Sequence, residues 1–157
     1  LKFLLEKVDW VSLSNGLPGR FHGDFHFENI ILNKDNLKFT FLDWRQNFSN
    51  DNSVGDIYYD LAKLLHGIIV SHPIINDNLF SVKEDSHEIN FELNRYHSLV
   101  LCEEFFYKWL NKNGYDTKRV LLITSLIYLN IASLHHEPYN RLLYLLGKYM
   151  LQDILST

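Results

Sequence analysis

The feature that most constrains this 157-residue chain is a spaced set of three polar residues, Asp24, Asn29 and Asp43, arranged around a predicted hairpin. Asp24 and Asn29 lie five residues apart in a loop, and Asp43 follows fourteen residues after Asn29. The apolar stretches 29–32 and 37–42 flank a polar turn, a pattern that predicts two antiparallel strands. This pairing places Asn29, at the start of one strand, beside Asp43, at the end of the other.

Asp, Asn and Asp in this order have a physical role in phosphoryl transfer. One carboxylate orients the attacking hydroxyl and accepts its proton, while the Asn oxygen and the second carboxylate hold the Mg²⁺ that bridges the nucleotide phosphates. We therefore predict Asp24 as the catalytic base and Asn29 and Asp43 as Mg²⁺ ligands. Asp43 ends an apolar strand, where an unpaired carboxylate is costly and a cation is a suitable partner.

Three motifs, in a fixed order along the chain, resemble those of a known enzyme family. They are His22-Gly23-Asp24-Phe25-His26-Phe27-Glu28-Asn29, Phe41-Leu42-Asp43-Trp44 and Gly55-Asp56-Ile57-Tyr58-Tyr59-Asp60-Leu61-Ala62. The first has the form H-G-D-x-H-x-x-N, and the set resembles the aminoglycoside phosphotransferase and choline kinase-like family of small-molecule kinases. The dense match covers roughly residues 20 to 70, and the later helices are similar only in kind.

The resemblance implies the C-terminal lobe of a protein-kinase-like fold, with Mg²⁺ and ATP or GTP as cofactors. Such a kinase also needs an N-terminal lobe with a sheet, a phosphate loop and a Lys for the nucleotide. Only about twenty residues precede His22, and they contain no Gly-rich loop. We therefore expect residues 1–157 to form a single catalytic-loop lobe, inactive by itself, whose nucleotide lobe is absent from this chain. A natural protein that has lost that lobe is the alternative.

The resemblance also assigns supporting roles around the loop. His22 braces the loop from beneath, and His26 packs or hydrogen-bonds beside it. Asp60, one turn into a helix that begins near Asp56, accepts hydrogen bonds from the loop backbone, or is an ordinary first-turn Asp favoured by the helix dipole. Arg45 contacts a phosphate or the substrate, or forms a surface salt bridge.

Hydrophobic periodicity predicts a predominantly helical α+β chain, in which a small β-hairpin carries the site and a helical bundle supports it. The first eight residues resemble the end of a helix. The further predicted elements are helices over 56–71, 93–111, 117–134 and 138–155, a second hairpin from 79–82 and 88–91, and polar loops over 15–19 and 47–54.

Composition excludes several classes of protein. Hydrophobic residues make up 46% of the chain, which indicates a globular domain, and the net charge of −4 gives no basic footprint for nucleic acid. The most apolar stretch, 120–134, is interrupted by polar residues and is too short for a membrane span, so we expect no membrane partner. The single cysteine, Cys102, excludes an internal disulfide and is typical of a cytoplasmic protein.

The predicted partners are a nucleotide and a small molecule with a hydroxyl group: a sugar, an aminoglycoside, choline or another amino alcohol. The sequence does not identify the acceptor, because specificity in such folds lies in loops and helices around the site. The surface that faces the missing lobe is expected to be exposed and apolar, which favours dimerisation of this lobe.

Two other functions fit part of the pattern. A catalytically inactive kinase-like binding or scaffold module would share the lobe, but the retained Asp24, Asn29 and Asp43 argue against it. A metal-dependent hydrolase would use His22, Asp24 and His26 as a metal cluster, and this leaves Asn29 and Asp43 unexplained.

A protein kinase is disfavoured by spacing. Only about a dozen residues separate Asp43 from the helix that begins near Asp56, too few for an activation loop and its closing motif. Gly23 also replaces the Arg of the usual His-Arg-Asp, so regulation by loop phosphorylation is not expected.

Overall fold

The computed structural model describes residues 1–45 and 54–156. They form an α+β arrangement, about 54% helical, with small antiparallel sheets, as the sequence predicted. The helices are α1 (Lys2–Leu5), α2 (Trp10–Ser14), α3 (Ile57–Ile69), α4 (His72–Asn76), α5 (His97–Lys112), α6 (Thr117–Ala132) and α7 (Tyr139–Ser156). The strands are β1 (Pro18–Gly19), β2 (Ile30–Asn33), β3 (Lys38–Phe41), β4 (Gly55–Asp56), β5 (Phe80–Glu84) and β6 (Ile89–Leu93). The polar loop predicted over 47–54 lies outside the described residues, apart from Val54.

The core is a helical bundle in which α6 packs against both α3 and α7. Leu65 of α3, Leu110 of α5, Tyr128 of α6 and Leu143 of α7 are each fully buried. The hydroxyl of Tyr128 donates to the backbone oxygen of His66 at 2.8 Å, so this large buried ring leaves no unpaired polar atom. The bundle therefore fixes α3, the helix nearest the predicted site. Among the described helices, none combines the length and apolarity needed to cross a membrane.

The helix predicted to begin near Asp56 is α3. The Asp56 side chain accepts a hydrogen bond from the backbone N–H of Tyr58 at 3.0 Å and so forms the N-cap. The helix ends at Ile69, two residues before the predicted limit. The short helix α4 was not predicted, and Pro73 lies in its first turn, where the missing N–H is not needed.

Both predicted hairpins are present. In β2–β3 the register runs from Ile30 opposite Phe41 to Asn33 opposite Lys38. In β5–β6 the turn lies two residues later than predicted, because the Asp85 carboxylate accepts hydrogen bonds from the N–H groups of His87 and Glu88 at 2.8 and 3.0 Å. When an Asp side chain accepts a hydrogen bond from the backbone N–H two residues later, it favours a turn that begins at the Asp itself.

The N-terminal segment differs from the prediction. Helix α1 lies within the predicted helix end, but α2 was not predicted, and the predicted loop over 15–19 contains the strand β1, which pairs with β4. Arg119 of α6 donates to the backbone oxygen of Leu13 at 2.6 Å, and its guanidinium lies 4.8 Å from the centre of the Tyr58 ring. These contacts join residues far apart in the chain, more than a hundred positions for Arg119 and Leu13, which is why local patterns did not reveal them.

Gly147 permits the close packing of α6 and α7. A Cβ at this position would lie 2.9 Å from the backbone oxygen of Ser125 and 3.0 Å from Cβ of Tyr128. We expect Gly147→Ala to lower the free energy of unfolding by about 1–2 kcal/mol, since overpacking outweighs the gain in helix propensity. Urea unfolding measures this, with exposed Gln152→Ala on the same helix as the control, expected within about 0.5 kcal/mol of wild type. An Ala variant as stable as wild type would contradict the packing.

Candidate active site

The loop that carries Asp24 begins in a left-handed turn. Gly23 has a φ of +83°, and a Cβ there would lie 2.5 Å from Cβ of Arg45. A side chain at this position would be both strained and blocked, so glycine is required. The turn directs the loop across the first turns of α3.

Asp60 of α3 binds the backbone of this loop. Its Oδ2 accepts a hydrogen bond from the N–H of His22 at 2.5 Å, and its Oδ1 accepts one from the N–H of Gly23 at 2.8 Å. Burial raises the pKa of the Asp60 carboxyl above its ordinary value, although the two N–H donors favour the ionised form. The residue before Asp24 is therefore held at a fixed distance from the helix.

His22 lies beneath the loop among aromatic rings. Its side chain is buried, with ring centres 4.9 Å from Trp44 and 5.7 Å from Phe25. Its Nδ1 accepts a hydrogen bond from the N–H of Asp24 at 3.3 Å. Among the described residues, His22, Asp24 and His26 are not grouped to hold a metal ion, so the structure gives no support to the hydrolase alternative.

Asp24 lies between two basic side chains. Its Oδ1 is 2.7 Å from Nζ of Lys63, and its Oδ2 is 3.2 Å from Nε2 of His26. Partial burial by itself would raise the pKa of the Asp24 carboxyl, but the hydrogen bond and charge of Lys63, with a smaller contribution from His26, outweigh it and lower that pKa. The Asp24 carboxylate is thus ionised at neutral pH and able to accept a hydrogen bond.

Asn29 and Asp43 lie at the same end of the β2–β3 hairpin. The N–H of Leu42 donates to the backbone oxygen of Asn29 at 2.9 Å, which places Asp43 one residue beyond the last pair. Asn29 Nδ2 donates to the backbone oxygen of Asp24 at 2.9 Å, so its amide oxygen is left for another partner. Asp43 is exposed and has a φ of +54°.

The donor set at this hairpin end fits Mg²⁺. An amide oxygen and one carboxylate, completed by phosphate oxygens, are the ligands that Mg²⁺ prefers at nucleotide sites. Within residues 1–45 and 54–156, no three His, Cys, Asp or Glu side chains are grouped to hold a metal ion. A metal ion at this hairpin end would need ligands besides the Asn29 and Asp43 side chains, such as phosphate oxygens.

Arg45 returns the chain to the loop. Its N–H donates to the backbone oxygen of His22 at 2.9 Å, and its guanidinium lies 5.9 Å from the centre of the Tyr59 ring on α3. The guanidinium is thus on the α3 side of the loop.

A cavity of about 360 Å³ opens beside Asp24. Its described lining residues come from the loop, α3, α4 and the region joining α6 to α7: Asp24, His26, Glu28, Lys63, His66, Gly67, Val70, His72, Ile75, Asn76, Ile131, His135 and Tyr139. Sequence reasoning identified only Asp24 and His26 of these. A signal was present, because Asp60, Lys63 and His66 recur every three residues on α3 and so share one face of the helix.

The second carboxylate in the cavity, Glu28, is also paired with basic groups. Its Oε2 lies 2.7 Å from Nδ1 of His26, and its Oε1 lies 3.4 Å from Nδ1 of His72. Partial burial by itself would raise the pKa of the Glu28 carboxyl, but the hydrogen bond with His26, a backbone hydrogen bond and the charges of His72 and His26 together outweigh it and lower that pKa. His26 therefore bridges Glu28 and Asp24.

His66 is the least satisfied polar side chain of the cavity. Both ring nitrogens are buried, and neither has a hydrogen-bond partner among the described residues. Burial, with smaller effects from the charges of Lys63 and His26, lowers the pKa of His66 to about 3. The ring is therefore neutral at physiological pH, with one donor and one acceptor.

Comparison with known proteins identifies the family. The model of the Phosphotransferase enzyme family (APH) matches residues 4–82, about half of the chain. The chain belongs to the phosphotransferase enzyme family. The matched range contains the Asp24 loop, the β2–β3 hairpin and α3, which confirms the resemblance inferred from the three motifs. No curated protein and no solved structure matches the chain.

Membership of the phosphotransferase enzyme family supports a kinase-like enzyme in general terms. In agreement with this family, the ionised Asp24 carboxylate and the Asn29 amide are in direct contact on the loop. The family match does not identify the acceptor, the nucleotide or the metal.

The Asp60 interaction with the loop of this phosphotransferase family member can be tested by Asp60→Asn. The Asn amide supplies one acceptor oxygen but turns an NH₂ group toward the other backbone N–H. We expect the free energy of unfolding to fall by about 1–3 kcal/mol and the amides of His22 and Gly23 to exchange faster with solvent. Urea unfolding and hydrogen exchange measure these effects. Asp35→Asn, in an exposed turn, is the matched control, and unchanged exchange at both amides would refute the interaction.

The low pKa of His66 predicts a pH-dependent stability. The unfolded chain takes up a proton on this ring near pH 6.5, whereas the folded chain does so only near pH 3. Stability is therefore full above pH 6.5 and falls as the pH decreases toward 3. His66→Gln should reduce this slope by up to about 1.4 kcal/mol per pH unit. Urea unfolding on both sides of pH 6.5 measures it, with exposed His87→Gln as control, and equal slopes in wild type and His66→Gln would disprove it.

Proposed function

We propose that this chain carries the catalytic loop of an ATP-dependent phosphotransferase that acts on a hydroxyl of a small molecule, such as a sugar, an aminoglycoside, choline or another amino alcohol. The observation that carries the proposal is the contact between Asp24 and Asn29. The Asn29 amide donates to the backbone of Asp24 while Asp43 lies at the adjoining hairpin end. This supports a base and two metal ligands acting around one loop.

Asp24 is the proposed base. Its ionised carboxylate orients the acceptor hydroxyl and takes up the proton as the oxygen bonds to the γ-phosphorus and the bond to the leaving ADP breaks. Oδ2 of Asp24 lies against both His26 and the Asn29 amide, whereas Oδ1 contacts Lys63 and keeps a lone pair to which the acceptor hydroxyl can donate. Mg²⁺ held by Asn29 and Asp43 would neutralise charge on the phosphates.

The other predicted site residues have supporting roles in this proposal. Asp60 and His22 keep the loop backbone in place, and His26 holds Oδ2 of Asp24. Arg45 contacts a phosphate or the acceptor from the α3 side of the loop. These contacts position the base, so most of the rate enhancement comes from preorganised electrostatics.

We also propose that a separate nucleotide lobe binds most of the ATP or GTP. The proposed location of the enzyme is the cytoplasm. The outer surface of the β2–β3 hairpin supports a further contact, because Phe39, Leu42 and Trp44 are 60%, 41% and 52% exposed. An apolar surface of this kind suits either that lobe or a second copy of the chain.

The test is a phosphotransfer screen on the full-length gene product. ADP release with Mg²⁺ and ATP is measured against sugars, aminoglycosides, choline and ethanolamine. Acceptor-dependent release should fall at least about a hundredfold in Asp24→Asn, because the amide cannot accept the proton. Asp35→Asn controls for the substitution itself.

Two results would count against this function. Activity that survives in Asp24→Asn would remove Asp24 from the role of base. Absence of both phosphotransfer and Mg²⁺-ATP binding by calorimetry would favour a kinase-like binding or scaffold module in place of an enzyme.

A further inference from the structure

We propose that the cavity beside Asp24 binds an uncharged polyhydroxyl acceptor, such as a sugar or a polyol, and that His66 hydrogen-bonds hydroxyl groups of this acceptor. The inference rests on the proposed function, because it assigns the acceptor class of the same site. The cavity, of about 360 Å³, lies within the usual range of small-molecule sites and has Asp24 on its wall.

His66 provides the first argument. Its two ring nitrogens are buried in the cavity wall without a partner among the described residues, and an unpaired buried polar atom is destabilising. A neutral imidazole offers one donor and one acceptor, and hydroxyl groups can both donate and accept. A ligand with several hydroxyls can therefore supply a hydrogen-bond partner that the described residues do not.

The position of His66 on α3 provides the second argument. Lys63, which contacts Asp24, lies three residues before His66, a separation of about 4.5 Å along the helix axis. Asp24 and His66 both line the cavity, so an acceptor with one hydroxyl at Asp24 can present a hydroxyl on another carbon to His66. Val70 and Ile75 also line the cavity and offer apolar contact to the carbon skeleton of the acceptor.

The charges in the cavity provide the third argument. Asp24 is paired with Lys63 and His26, and Glu28 with His26 and His72. A cationic acceptor gains little net attraction here, since both carboxylates on the described wall already lie beside basic side chains. The charge of the Lys63 ammonium is likewise balanced by Asp24, so it adds little net attraction for an anionic acceptor.

The aromatic content of the cavity also disfavours a quaternary ammonium group. Choline-type cations are held by several aromatic faces. Apart from imidazoles, Tyr139 is the one aromatic side chain among the described lining residues, and its ring already contacts His135 at 4.7 Å between centres. An aromatic cage is therefore not formed by this part of the chain.

The first experiment measures binding without nucleotide. In full-length protein with ¹⁵N-labelled imidazoles, glucose, ribitol and glycerol are titrated against choline and ethanolamine, and the ring resonances of His66 are followed, with exposed His87 as internal reference. We expect at least one uncharged polyol to shift the His66 resonances and leave His87 unchanged. A shift caused only by the cationic compounds, or by no polyol, would overturn the inference.

The second experiment uses substitutions of His66. For the polyol that responds, His66→Phe should raise the dissociation constant about tenfold or more, because it removes both hydrogen-bonding atoms. His66→Gln retains a donor and an acceptor and should bind with intermediate affinity, while His87→Gln should bind as wild type. Circular dichroism verifies folding of each variant. Unchanged binding in both His66 variants would refute the role of this residue.

These readouts separate the inference from the proposed function. Polyol binding at His66 without any phosphotransfer would refute the reaction and support the pocket. Phosphotransfer to choline, with His66 unaffected by every polyol, would support the reaction and refute the acceptor class.

Discussion

The whole site depends on one carboxylate that joins a loop to a helix. Asp60 lies in the first turn of α3 and uses both of its oxygens on consecutive backbone N–H groups, those of His22 and Gly23. Two hydrogen bonds from one planar group fix both position and direction of the loop, and charge-assisted bonds of this type are stronger than neutral ones. The position of Asp24, the next residue, follows from this attachment.

Helix α3 therefore serves two purposes on two faces. One face, with Leu61, Leu65 and Ile68, is buried in the bundle. The other carries Asp60, Lys63 and His66, which successively bind the loop, pair with Asp24 and line the cavity. Because the bundle fixes the first face, the polar groups on the second are held at defined distances from the loop. The Asp24 carboxylate is thus positioned before any ligand binds.

The cavity is distinguished by the pairing of its charges. Lys63, His26 and His72 engage the two carboxylates on its described wall, while the neutral ring of His66 retains unused hydrogen-bonding atoms. Ionisation of Asp24 is thus favoured by neighbours within the chain, and recognition is left to hydrogen bonds and apolar contact. Paired charges contribute little net attraction for a charged ligand, which is the physical basis for proposing an uncharged one.

Local patterns in the sequence were enough to predict the β2–β3 hairpin that joins Asn29 to the Asp43 end, the α3 helix with its Asp56 cap, the three long helices and the family. Which residues surround Asp24 depends on tertiary contacts. Lys63 lies 39 positions from it along the chain, and β1 reaches its partner β4 over a similar interval. Such pairs are in contact because the bundle and the Gly23 turn bring distant segments together. Hydrophobic periodicity predicts that a helix has an apolar face, but not which distant residues its polar face contacts after packing.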